Sequence, residues 1–269
     1  MHRLRIVPLL LGVLLLLVFA FAALFPRAIT PYGQKEMFSA WEKPNMQHPL
    51  GTNALGYDVF AELVYGTRDT LLIGLSSSVL TLLLGLLIGT LAARRDLIGG
   101  LFDGMTNVLI LLPRLIALIV LSAFVGAGRI QLIVLIALFG WAGTARAVRE
   151  RVRHLAVQPF IKALTVQSFS RVHIAFFHML PNLSDILLTR FLLGVNSCIL
   201  MESTLSFLGF GDLYHPTWGT MMNFAYRRGA FLRQAYAYLL TPGICIVLLS
   251  LAFYLISLWF TKRKETIRA

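Results

Sequence analysis

LLIGLSSSVLTLLLGLLIGTLAA, residues Leu71–Ala93, runs without a charged side chain between Arg68-Asp69 on one flank and Arg94-Arg95 on the other. A helix of that length is about 34 Å long at 1.5 Å per residue, which matches the hydrocarbon thickness of a bilayer. The apolar residues come as a continuous block, at neither helical nor strand period, and this excludes the alternating pattern of a membrane barrel. Five more long, mostly apolar blocks accompany it: Ile6–Phe25, Leu101–Val125, Ile130–Ala147, Leu183–Phe207 and Tyr236–Phe260. Hydrophobic residues are 58% of the 269 and charged residues 13%, with a mean hydropathy of +0.78. A soluble domain of this size keeps more charge on its surface. The sequence therefore predicts an all-α, polytopic membrane protein with about six transmembrane helices.

The net charge of +12 does not point to nucleic acid, because the bases cluster at the ends of the apolar blocks. Arg3, Arg5, Arg94, Arg95, Arg146, Arg149, Arg151, Arg153, Lys162, Arg171, Lys262, Arg263, Lys264 and Arg268 fall on one side. On the other, Arg27, Lys35, Lys43 and Arg68 are offset by Glu36, Glu42, Asp58, Glu62 and Asp69. This asymmetry predicts that both termini are cytoplasmic, in the cell inner membrane. Arg3 and Arg5 before an apolar run also fit a signal peptide, but the run exceeds the usual 7–15 residue core and reads as an anchor. Cys198 and Cys245 lie inside apolar blocks and suggest neither a disulfide framework nor a metal cluster.

The chain divides into an N-terminal anchor helix and external segment (1–70), a five-helix core (71–260) and a cytoplasmic tail (261–269). Within the core lie a polar cytoplasmic loop (148–182) and an external loop (209–234). Pro31, Pro44 and Pro49 predict irregular backbone early in the external segment.

Three motifs carry a more specific message. The first is His48-Pro49-Leu50-Gly51-Thr52-Asn53-Ala54-Leu55-Gly56-Tyr57-Asp58, continuing to Gly66-Thr67-Arg68. The second joins Trp141…Ala145-Arg146 and Arg149 to Phe160-Ile161-Lys162-Ala163-Leu164, Ser168 and His178-Met179-Leu180-Pro181-Asn182. The third is Glu202-Ser203-Thr204-Leu205-Ser206-Phe207-Leu208-Gly209-Phe210-Gly211, followed by Pro216-Thr217-Trp218-Gly219 and Met222. In this order they resemble the inner-membrane permease subunits of dipeptide, oligopeptide and nickel importers of the ATP-binding-cassette class. The likeness covers nearly the whole chain after residue 48.

That resemblance implies the type I importer permease fold and a role as half of a translocation path for peptides, nickel or metal chelates. It implies a homologous second permease, two ATP-binding-cassette ATPase subunits and an extracytoplasmic binding protein as partners, besides membrane lipid. No GxxxxGK[ST] motif occurs, so the chain is expected to bind no cofactor, to be no enzyme, and to leave ATP and magnesium to its partner subunits. The same resemblance makes Phe160, Ile161, Lys162, Ala163, Leu164, Ser168, His178, Leu180 and Pro181 the loop that docks on an ATPase. Lys162 stands where the family usually has Glu, Leu164 replaces an Ala and Ser168 a Gly. The usual acidic ending is absent.

Two other readings fit parts of the sequence. Arg114, just after Pro113 within the third block, costs about 2.5–3.5 kcal/mol in lipid and is expected to face a watery path or a carboxylate such as Glu202. A secondary transporter or channel would use that pair. An intramembrane aspartyl protease would use Asp58 and Asp212, provided the two carboxyls share a proton. His48, His173 and His178 are too separated to form one metal site.

Overall fold

The computed structural model describes residues 2–170 and 173–268, so Arg171 of the basic loop lies outside the described residues. They form helices α1 (His2–Leu24), α2 (Pro26–Ile29), α3 (Val59–Ala92), α4 (Leu97–Leu111), α5 (Arg114–Val125) and α6 (Arg129–Gly140). There follow α7 (Ala142–Ala156), α8 (Pro159–Val166), a π-helical turn (Ile174–Met179), a 3-10 turn (Pro181–Leu183) and α9 (Ser184–Leu205). A second π-helical turn (Ser206–Phe210), α10 (Trp218–Arg227) and α11 (Tyr236–Arg268) complete the chain. The only β pairing among the described residues is two isolated bridges, Met37 with Tyr57 and Thr52 with Asp58.

Among the described residues four helical stretches are long and apolar enough to cross a membrane, and the count reaches six when two bent pairs are each taken as one span. The third block is not a straight helix. α4 and α5 meet at 92°, with the break at Leu112-Pro113. Proline has no amide hydrogen and forces the residue before it out of the helical region, and Leu112 accordingly sits at ψ 133. α6 and α7 bend by 43° at Trp141, and α7 carries the fourth block on as helix to Ala156.

α3 is the centre of the bundle, packing against α1, α4, α6, α7 and α9. It begins at Val59, twelve residues before the apolar block, inside the stretch expected to be an external segment. The cause is local: Asp58 accepts the Ala61 amide at 2.6 Å as N-cap, and Glu62 lies in the first turn, where a carboxylate suits the helix dipole. At about 50 Å, α3 outreaches the hydrocarbon core. Near its other end Gly89 lies so close to α7 that a Cβ there would sit 2.5 Å from the Ala145 carbonyl oxygen. The main apolar core joins Leu71, Leu192, Val195, Ile199, Trp218, Leu249 and Phe253, with Phe19 of the anchor helix packed in.

The bundle thus has two dissimilar ends. One is closed by residues 30–58, the turn after α9, and α10, and is called the capped end below. The other, the basic end, carries the C-terminal part of α7, then α8 and the turns that lead into α9.

Candidate functional site

At the basic end α7 is polar on one side and fixed on the other. Arg149 forms an ion pair with Asp103 of α4, and Arg153 donates to the Ala92 carbonyl at 3.0 Å while standing 3.7 Å from Asp103. The apolar side of α7 (Val148, Val152 and Leu155) packs with Leu183, Met179 and Leu180, so the turns before α9 rest on α7 and α3. The sequence offered Arg149 as a motif residue and Arg153 as a topology marker, but not Asp103, which ties α4 to α7.

On this platform Pro159 opens α8. Ile161 is buried, whereas Phe160, Lys162 and Ala163 are exposed and Leu164 is half-buried. The helix therefore keeps one anchor inward and presents an apolar side chain and a cation outward. Ser168, after α8, holds φ at 61, the left-handed region in which a side chain is disfavoured. His178 accepts the Asn182 side-chain amide on its carbonyl at 2.7 Å, and Pro181 starts the turn before α9. His173 stacks between Phe169 and Phe177 and lies 5.6 Å from the His178 ring.

The capped end assigns other work to the acids singled out above. Glu202 is fully buried and accepts from Thr217 at 2.6 Å, Ser206 at 2.7 Å and Ser203 at 3.2 Å. Thr217 is also the N-cap of α10, and the next residue, Trp218, donates its amide to Thr70 and its ring N–H to the Leu63 carbonyl on α3. Glu202 is therefore the centre of a knot that joins α9, α10 and α3. Among the described residues it has no ion pair with Arg114, which corrects the expectation that these two form one charged site. A buried carboxyl needs donors, and short hydroxyls provide them here at less desolvation cost than a second charge.

Asp58 and Asp212 likewise hold separate loops. Asp58 accepts from the buried His48 at 2.8 Å besides capping α3. Asp212 accepts from the amides of Arg129 (3.1 Å) and Tyr214 (2.8 Å) and pairs with the His215 ring at 3.1 Å. Burial alone would push the Asp212 carboxyl up, but the His215 ring and the Tyr214 and Arg129 amides together hold it below its usual range. Neither acid contacts the other in any hydrogen bond among the described residues, so the shared-proton geometry of a protease is missing. Arg129 further binds Asp69 of α3 at 3.2 Å.

Arg114 stands at the first position of α5, beside the 92° break. Its guanidinium donates to Ser197 of α9 at 3.1 Å and to the Ile136 carbonyl of α6 at 3.0 Å. It lines a cavity of about 150 Å³ between α3, α5, α6, α7 and α9, whose wall also includes Thr81, Thr144, Arg190 and Ser197. Arg190 was not singled out from the sequence, since it sits alone in an apolar block with no motif around it.

Residues 82–266 match the family described as binding-protein-dependent transport system inner membrane component. A Brucella suis protein named as a peptide permease is 35% identical, over 90% of this chain and 81% of its own length. The di/tripeptide transport system permease protein DppC of Pseudomonas aeruginosa is 31% identical over 91% of this chain and 83% of its own. The oligopeptide transport system permease protein OppC of Bacillus subtilis is 31% identical over 82% and 72%.

Proposed function

This chain belongs to the binding-protein-dependent transport system inner membrane components, the multi-pass permease subunits of ATP-binding-cassette importers, and from that premise we propose that it carries peptides inward. The peptide names of its relatives support the substrate class. It forms half of a path completed by a homologous permease, receives substrate from an external binding protein, and does no chemistry itself. ATP and magnesium act on two separate ATPase subunits. Both termini and the basic end face the cytoplasm, where Arg and Lys collect. An impermeant thiol reagent is expected to label a single cysteine placed at residue 41 of intact cells and not one placed at 162.

The observation that carries the coupling assignment is α8 itself. It packs against α7 and the π-helical turn before α9, buries Ile161, and turns Phe160 and Lys162 outward at the basic end. A push on this helix reaches α7, and through the Arg149–Asp103 pair it reaches α4, the helix that ends at the α4–α5 break. Phe160, Ile161, Lys162, Ala163 and Leu164 form the docking helix. Ser168, His178, Leu180 and Pro181 shape its return to α9. Lys162, an exposed cation, faces an acid or carbonyl cluster in the ATPase groove, a charge-assisted contact of about 1–3 kcal/mol. Lys162→Glu in the complete complex is expected to leave assembly intact and to separate ATP hydrolysis from uptake. Normal coupled uptake by that variant would place Lys162 outside the contact.

A further inference from the structure

The cavity beside the α4–α5 break holds two arginines and no acid. Arg114 is fixed at its back by Ser197 and the Ile136 carbonyl, and its enclosed Nε–H has no partner among the described residues. Arg190 lines the same cavity and makes no hydrogen bond or ion pair among the described residues. Each arginine at membrane depth costs about 2.5–3.5 kcal/mol, so two together call for water and for an anion. Glu202 is engaged by Thr217 and Ser206, Asp69 by Arg129 and Asp103 by Arg149, and Asp185, five residues before Arg190 on α9, does not line the cavity.

The geometry is that of a small polar chamber. Arg190 and Ser197 are seven residues apart on α9, two turns along one face, or about 10 Å. Arg190 therefore lies toward the basic end, and Arg114, held by Ser197, lies deeper. At Gly140 a Cβ would come within 3.0 Å of the Arg114 guanidinium and 2.9 Å of the Thr81 hydroxyl, so any side chain there would crowd the chamber. A volume of about 150 Å³ accommodates a carboxylate and a few waters, given about 30 Å³ per water.

We propose that this chamber is a carboxylate subsite on the translocation path and that it takes the C-terminal carboxylate of a peptide in transit. The substrate part of the assignment rests on the peptide reading above. Guanidinium forks match a carboxylate in shape as well as charge, and hydroxyls of Thr81, Thr144 and Ser197 complete the wall. Two cations at different heights give the group a second contact to move to. A transit site must release what it binds, so weak, millimolar affinity is expected. The same chemistry has a second source, an acidic side chain of the partner permease, and the test separates the two.

The test uses the complete complex of both permeases and both ATPases, without nucleotide, and follows phenylglyoxal modification of Arg190 by mass spectrometry. The probes are alanyl-alanine, its C-terminal amide, and acetate. A site with a Kd of about 1 mM is about nine-tenths filled at ~10 mM, so alanyl-alanine and acetate are expected to slow modification about tenfold and the amide hardly at all. Equal rates with all three probes would overturn the site. An Arg190 that is unreactive in the complete complex whatever is added would assign the counter-charge to the partner permease and overturn the substrate role. Protection by acetate but not by alanyl-alanine would also overturn it. Failure of the peptide reading shows separately, as a complex that takes up no peptide at all.

Discussion

The hydroxyl of Thr217 donates to the Glu202 carboxylate at 2.6 Å, and Ser206 donates to the same oxygen at 2.7 Å. One residue after Thr217, Trp218 binds α3 through both its amide and its ring. Fifteen residues of sequence separate Glu202 from Thr217, yet the pair fixes the fold-back of the chain onto its own span at the capped end. The motif Glu202…Pro216-Thr217-Trp218-Gly219 is thus a structural lock.

Thr217→Val removes the hydroxyl and leaves a buried carboxyl short of a donor. A hydrogen bond to such a group is worth about 1.5–3 kcal/mol. The thermal midpoint of the purified permease is expected to fall, and Thr217→Ser, which restores the donor, is expected to recover most of the loss. An unchanged midpoint in Thr217→Val would remove Glu202 from the lock.

Asp212 gives the capped end a dependence on acid. Its carboxyl is held below the usual range of about 3.9 by His215 and two amides, net of the upward push of burial, so the unfolded state binds the proton more readily. The stability it contributes is present above the unfolded value and is lost as pH falls through the folded one. Melting temperatures of the native protein should therefore drop more steeply than those of Asp212→Asn between about pH 5 and pH 3. Parallel curves would refute this role.

Ser168 sits at φ 61 where the resembled family has glycine. Ser168→Gly relieves a left-handed side chain worth about 1 kcal/mol, partly offset by the freer unfolded chain. Protease cleavage between α8 and α9 in the assembled complex is expected to slow, with uptake equal to or above that of the parent. Faster cleavage would mean that the Ser168 side chain makes a contact of its own in the complex.

The spans were legible because lipid forces every backbone group to be satisfied within its own helix, and that requirement leaves long apolar blocks in the sequence. Their breaks were only half legible. Pro113 was visible, but hydropathy alone continued across it and gave one span where the chain turns by 92°. The early start of α3 was hidden for the opposite reason: Glu62 and Asp69 looked like loop residues until Asn53 and Arg129 were seen to satisfy them. Arg114 was legible as an expensive charge, whereas its partners were not. The inferred Glu202 lies only five residues from Ser197 on the same helix, and spacing cannot tell which of them a long arginine reaches. Arg190 carried no pattern at all, and its importance appears only when the cavity brings it beside Arg114.

The central claim, that this chain moves peptides with energy supplied by separate ATPases, is tested most directly by dipeptide uptake. Proteoliposomes would hold the complete complex with ATP inside and the binding protein and labelled dipeptide outside. Accumulation is expected only with hydrolysable ATP, and it should persist when ionophores collapse every ion gradient. Uptake that continues without ATP and vanishes with the ion gradient would contradict the account.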